Sequence, residues 1–197
     1  VLPPTPDTFN VLHDEARRLQ RLVDDLRTLS LAEAGELTLN KRPVDPRALL
    51  ERALAAHTPR AQQQNIALSS NAPTALPDVL ADPDRIGQVL DNLLSNALRH
   101  TPDGGAIRLR AATDAEGVML SVIDSGPGIA PEDLPNIFGR FYRGDKARQR
   151  HEGASGLGLA IAKSMVLAHN GRIWAENSPD GGAAFHLVLP IVRAEAA

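Results

Sequence analysis

The stretch Asp82-Pro83-Asp84-Arg85-Ile86-Gly87-Gln88-Val89-Leu90-Asp91-Asn92-Leu93-Leu94-Ser95-Asn96-Ala97-Leu98-Arg99-His100-Thr101 decides how this chain is read. Asp82 stands where an N-cap carboxylate accepts from exposed backbone N–H groups. Pro83 fits the first helical position, where a missing N–H costs nothing. Thr101-Pro102-Asp103-Gly104-Gly105 then breaks the pattern. Between these ends Ile86, Val89, Leu90, Leu93, Leu94 and Ala97 recur at helical spacing and make an apolar stripe. Gln88, Asn92, Asn96 and Arg99 fall on a different face. Lys and Glu are better helix formers than Asn, so two amides one turn apart, followed by an arginine, are unusual on a solvated face. The helix alone leaves two readings about even, a polar surface or a site.

Two further segments tip the balance: Asp124-Ser125-Gly126-Pro127-Gly128-Ile129 and Gly153-Ala154-Ser155-Gly156-Leu157-Gly158-Leu159-Ala160-Ile161. Glycines let a backbone pass close to a ligand, and the N–H groups that open a helix bind phosphate. Taken singly, the first segment is also a plain turn and the second a hinge. Together and in this order, the three segments resemble the N box and the two glycine boxes of sensor histidine kinases, which belong to the Bergerat-type ATPases. The resemblance runs roughly from Leu37 to Pro190.

The resemblance implies a fold and a set of roles. The fold is an α/β two-layer sandwich, a mixed sheet against three helices, with Mg-ATP held between the helices and a lid. Asn96 is the implied magnesium ligand, and Asn92 supports the metal's waters or the phosphates. Arg99 counters phosphate charge, and His100, where Tyr is common, stacks or hydrogen-bonds near the phosphates or ribose. Asp124 accepts from the adenine amino group, in a loop with Gly126, Gly128 and Ile129. Ser155, Gly156, Leu157, Gly158 and Leu159 form the phosphate-binding helix start. In Ile137-Phe138-Gly139-Arg140-Phe141-Tyr142-Arg143, which resembles the kinase F box, Phe138 and Phe141 anchor the lid. Tyr142 and Arg143 approach the nucleotide, Arg143 near the γ-phosphate. The implied catalytic positions are Asn92, Asn96 and Arg143. Gly181-Gly182-Ala183 is a degraded last glycine box, read as structural.

The remaining elements are read from pattern. Asp7 to about Glu33 is helical, with Leu12, Ala16, Leu19, Val23 and Leu26 in alternating steps of four and three, as in a heptad seam. It reads as the second helix of a dimerisation hairpin, or as an ordinary amphipathic helix packed on its own domain. With the first hairpin helix absent, Leu12, Leu19, Val23, Leu26 and Leu29 are expected to be partly exposed, to pack on a neighbour or to fray. Leu29 to Gly35 reads as a hinge and Glu36 to Lys41 as a short strand. Asp45 caps a helix to about Gln64, with Ala48, Leu49, Ala53, Leu54 and Ala56 on its apolar positions. Strands are expected at 66–70, 79–81, 106–113, 118–124, 172–177 and 183–189, and a helix over 156–169. The charged segment Arg143 to Gly153 reads as a lid that orders with nucleotide. The expected division is residues 1–35 as part of a dimerisation domain, 36–191 as the catalytic ATP-binding domain and 192–197 as a tail.

Bulk properties narrow the function. The net charge is −3 and no basic arm suits nucleic acid. No cysteine is present, so there is neither a disulfide framework nor a thiolate metal site. That suits a cytoplasmic setting. No run of eighteen apolar residues exists to span a membrane. The chain opens at Val1 without a Met and reads as a fragment, whose parent is either free or anchored in the cell membrane. The family's acceptor motif, Ser-His-Glu-Leu-Arg-Thr-Pro, is absent; His13-Asp14-Glu15 lacks its continuation, and His13 reads as a surface residue. His57, His151, His169 and His186 show no metal-ligand spacing. The hydrolysing relatives carry a Glu where Asn92 stands, and an amide cannot act as general base. The expected function is therefore transfer of the γ-phosphate of ATP to a His on the dimerisation domain, for relay to a response-regulator Asp. The partners are that domain, the second protomer and the regulator. The alternatives are a Bergerat-type ATPase and a non-catalytic, nucleotide-dependent dimerisation or regulatory module.

Overall fold

The computed structural model describes residues 6–142 and 155–192. A five-stranded sheet has the order β2 (Ala67–Asn71), β4 (Ala106–Asp114), β5 (Gly117–Asp124), β7 (Ala183–Leu189) and β6 (Arg172–Asn177). The β2–β4 pair is parallel and the rest are antiparallel. A separate antiparallel pair joins β1 (Arg42–Val44) to β3 (Val79–Ala81). Alternation sets one face of the large sheet inward. Ile107, Leu109 and Ala111, Val118, Leu120 and Val122, and Phe185, Leu187 and Leu189 all enter one core. Three helices cover that face: α2 (Pro46–Gln63), α3 (Pro83–His100) and α4 (Gly158–Ala168). The result is the expected two-layer sandwich with a mixed sheet.

Helix α3 forms because its two faces and both ends agree. The Asp82 carboxylate accepts from the N–H groups of Asp84 and Arg85, and Pro83 follows it. Ile86, Val89, Leu90, Leu93, Leu94, Ala97 and Leu98 are buried. A large aliphatic side chain contributes about 1.5–3 kcal/mol on burial, and a cap about 1 kcal/mol. Burial therefore holds the helix and the cap sets where it starts. In α2 Leu49 and Ala53 are buried and Leu54 partly so, as expected; Leu50 and Ala61 join that face, while Ala48 and Ala56 are exposed.

Two differences from expectation lie at the entrance to this unit. Residues 36–41 form no ladder, although burial alternates along them. Their polar groups go elsewhere: the Asn40 N–H donates to Asp82 Oδ2 at 2.9 Å, and Lys41 Nζ donates to the Ala168 carbonyl at 2.8 Å. Helix α1 (Pro6–Glu33) also does not hinge at Leu29. Leu29 is 2% exposed and joins the core, in the stretch where α1 packs on α4. Leu12, Leu19, Val23 and Leu26 are exposed as expected.

Candidate functional site

The polar face of α3 is the floor of the site. Its amides are carried by a helix whose other face is locked in the core, so their positions follow from packing. The Asn92 Nδ2 group is buried and has no hydrogen-bond partner among the described residues. A buried polar group left unpaired costs about 1–3 kcal/mol, so such a group marks either strain or a missing partner. Asn96, one turn on, is half-buried, and no protein group bonds its side chain among the described residues. Arg99 and His100 are exposed at the end of the helix.

Asp124 closes β5 beside this floor. It is 4% exposed. Its Oδ1 accepts from the Gly126 N–H at 2.8 Å and the Ala183 N–H at 3.2 Å. Its Oδ2 is left without a hydrogen bond among the described residues. Burial raises the carboxyl's pKa above its ordinary value, against the opposing pull of those two N–H donors and the nearby His100. The last glycine segment has a share in this that sequence reasoning missed. Gly182 sits at φ +85, with its Cα so near the Asp124 carbonyl that any side chain would collide with it. Ala183 then presents its N–H to the Asp124 carboxylate.

The start of α4 meets α3 from the other side. A Cβ on Gly158 would come 3.2 Å from Asn92 Oδ1. No side chain caps this helix. Ser155 accepts from the Leu157 N–H at 3.2 Å, and the first-turn N–H groups of any helix have no helical partners of their own. The segment expected to be a lid, Arg143 to Gly153, lies outside the described residues, with Arg143 and His151 in it. Before it, Ile137 is buried, and Phe138 meets Phe185 edge-on at 6.3 Å. Phe141 does not anchor anything: it is 61% exposed, at φ 57. The second anchor is Ile137. Tyr142 donates to Asp133 at 2.6 Å, and Arg140 pairs with Glu33 at the end of α1.

A family model described as histidine kinase-, DNA gyrase B- and HSP90-like ATPase matches residues 81–193. The chain belongs to this ATPase family. Within it, the chain is 42% identical over 189 residues to the signal transduction histidine-protein kinase BaeS of Escherichia coli, covering 96% of this chain and 40% of that protein. Full-length ShkA, solved in complex with AMPPNP, superposes with a TM-score of 0.85 at 30% identity, over 100% of this chain and 41% of that one. The Acinetobacter baumannii histidine kinase AdeS gives a TM-score of 0.80 at 30% identity, over 98% of this chain and 88% of that one. The chain thus spans about two-fifths of the length of BaeS. No helix among the described residues is long and apolar enough to cross a membrane.

The residues present fit a magnesium–nucleotide complex. The donors on α3 are neutral amides, and among the described residues no group of three or more His, Asp or Glu side chains could hold a metal ion. Mg²⁺ accepts such a site, because it keeps waters and phosphate oxygens and takes few protein ligands. The orphaned Asn92 amide and the close approach of Gly158 to Asn92, which a side chain would crowd, agree with it. Three histidines other than His100 have partners of their own: His57 meets Asp91 at 3.0 Å, and His186 meets Ser121 at 2.7 Å. His169 accepts from the Asp82 N–H at 3.0 Å.

Proposed function

We propose that this chain is the ATP-binding catalytic part of a sensor histidine kinase, with residues 36–191 as the catalytic domain and 1–35 as part of the dimerisation domain. The observation that carries the reading is the buried, unpartnered amide of Asn92, set between the polar face of α3 and the glycine-lined start of α4. Asn96 offers Mg²⁺ its carbonyl oxygen. When bound, the ion neutralises phosphate charge. Asn92 bonds its waters or the phosphates, and Arg99, His100, Tyr142 and Arg143 line the nucleotide. The N–H groups from Gly156 to Leu159 receive phosphate oxygens. Asp124 Oδ2 accepts from the adenine amino group, while Oδ1 stays bound to the chain's own N–H groups.

Asn92 also selects the reaction. An amide cannot take a proton from water, and general base catalysis is worth about 10²–10⁴-fold. The site therefore holds ATP without hydrolysing it quickly. Transfer needs a nucleophile from outside: an imidazole nitrogen of the dimerisation domain bonds to the γ-phosphorus, the bond to the bridging oxygen breaks, and ADP leaves. A response-regulator Asp then takes the phosphoryl group. The expected setting is the cytoplasm, with the second protomer covering α1.

Radiolabelled ATP with magnesium tests this. The chain alone should gain no phosphohistidine. A separately supplied domain carrying the acceptor His should become labelled, though weakly, because the effective concentration of a tether is lost. Label on this chain alone, mapped to His13 or another of its histidines, would overturn the reading.

A further inference from the structure

The segment from Ser125 to Ile129 leaves β5, passes the end of β7 and arrives beside the end of β6. At its near end Asp124 is held by Gly126 and Ala183. At its far end stands Asn177, the last residue of β6 and 48 residues away in sequence. Asn177 Oδ1 accepts from the Ile129 N–H at 2.7 Å, and Asn177 Nδ2 donates to the Ile129 carbonyl at 2.8 Å. One amide thus takes both main-chain groups of one residue, as a neighbouring strand would. The approach is tight. Gly128, at φ +77, lies where a Cβ would come 2.8 Å from Asn177 Oδ1.

We propose that Asn177 is a positioning residue for the nucleotide base: it fixes the far end of the 125–129 loop, so that the loop already has the shape the base requires. The inference rests on the nucleotide reading given above. The chemistry favours an amide over other side chains. A carboxylate lacks the donor for the Ile129 carbonyl, and a hydroxyl is too short to reach both groups. An exposed pair of hydrogen bonds adds little to global stability, since water competes for it. Its effect lies in the loop, where a conformation fixed in advance need not be ordered on binding.

The test compares wild type, Asn177→Ala and Asn177→Asp by titration with Mg-ATP and, separately, with magnesium tripolyphosphate. Amide exchange at Ile129 and the urea midpoint are followed in parallel. Loss of the clamp should weaken ATP binding roughly tenfold in Asn177→Ala, speed exchange at Ile129 and leave tripolyphosphate affinity unchanged. Asn177→Asp, which keeps the acceptor for the Ile129 N–H, should recover part of the ATP affinity. Wild-type ATP binding that is matched by Asn177→Ala would overturn the inference alone. Equal losses for ATP and tripolyphosphate would make Asn177 a general support of the fold and overturn it too. A wild type that binds tripolyphosphate but shows no preference for ATP would overturn the base-site reading, and this inference with it.

Discussion

Helices α1 and α3 are both amphipathic, and each leaves one face unsatisfied, but not the same one. In α3 the apolar side is wholly in the core, and the polar side carries an amide without a partner. In α1 the outer apolar side is bare: Leu19 is 55% and Val23 64% exposed. The two deficits call for different partners. A buried polar group needs hydrogen-bonding atoms, which a nucleotide and its metal waters supply. An exposed seam needs apolar surface, which another helix supplies. The regimes meet between Leu22, which packs partly buried against the core, and Leu29, which is inside it.

The largest expected effect separates the two helices directly. Leu93→Ala should cost about 2–5 kcal/mol of stability, as for other buried leucines, and Leu29→Ala should fall in the same range. Leu19→Ala should stay within about 0.5 kcal/mol. Urea unfolding checks all three. A Leu19→Ala cost equal to that of Leu93→Ala would show that the seam of α1 is already covered in solution.

A smaller effect concerns the ligand expected on the polar side. Guanine presents a carbonyl where adenine presents an amino group, so it would leave Asp124 Oδ2 unpaired. That costs about 1–3 kcal/mol, on the order of 5–150-fold in affinity. Competition titrations should show ATP ahead of GTP by at least the lower figure. Equal affinities would remove Asp124 from base recognition.

The smallest effect lies at the start of α3. His169 Nε2 accepts from the Asp82 N–H and its Nδ1 meets the Met165 carbonyl, which fixes a neutral ring. Burial lowers its pKa below 6.5, with Lys41 adding to that and the Met165 carbonyl and Asp82 opposing it. The unfolded chain therefore binds the proton more readily. The contribution to stability is full above about pH 6.5 and is lost as pH falls below it, by at most about 1.4 kcal/mol per pH unit. His186, also lowered by burial, acts in the same direction. His169→Gln should flatten the acid side of the urea-midpoint profile without abolishing its slope, and an unchanged profile would contradict the assignment.

Much of this was legible in the sequence where local and global signals agree. The cap, proline and stripe of α3 all point one way, and the β6–β7 hairpin has the turn residues Ser178-Pro179-Asp180-Gly181-Gly182 between two strand-length runs. Residues 36–41 misled because period-two burial reports an extended chain with one side covered, and not the presence of a ladder. The heptad seam of α1 reads the same whether the cover is another helix or the chain's own core, so Leu29 looked like its neighbours. The resemblance to the F box points to Phe141 as an anchor, but its backbone turns it outward and Ile137 is the buried residue there. The amide clamp of Asn177 had no local signal, since its partner is distant in sequence and the residue itself reads as a strand end.

The central claim is that the amide face of α3 holds a magnesium–nucleotide complex, with Asn96 as the metal's protein ligand. Calorimetric titration of wild type and Asn96→Ala with ATP, with and without magnesium, tests it most directly when the urea midpoints are measured alongside. Wild type should bind ATP in a magnesium-dependent manner, and Asn96→Ala should lose that dependence at an unchanged midpoint, because the half-buried Asn96 side chain makes no hydrogen bond to the described residues. Magnesium-dependent affinity that is the same in Asn96→Ala as in wild type would contradict the claim.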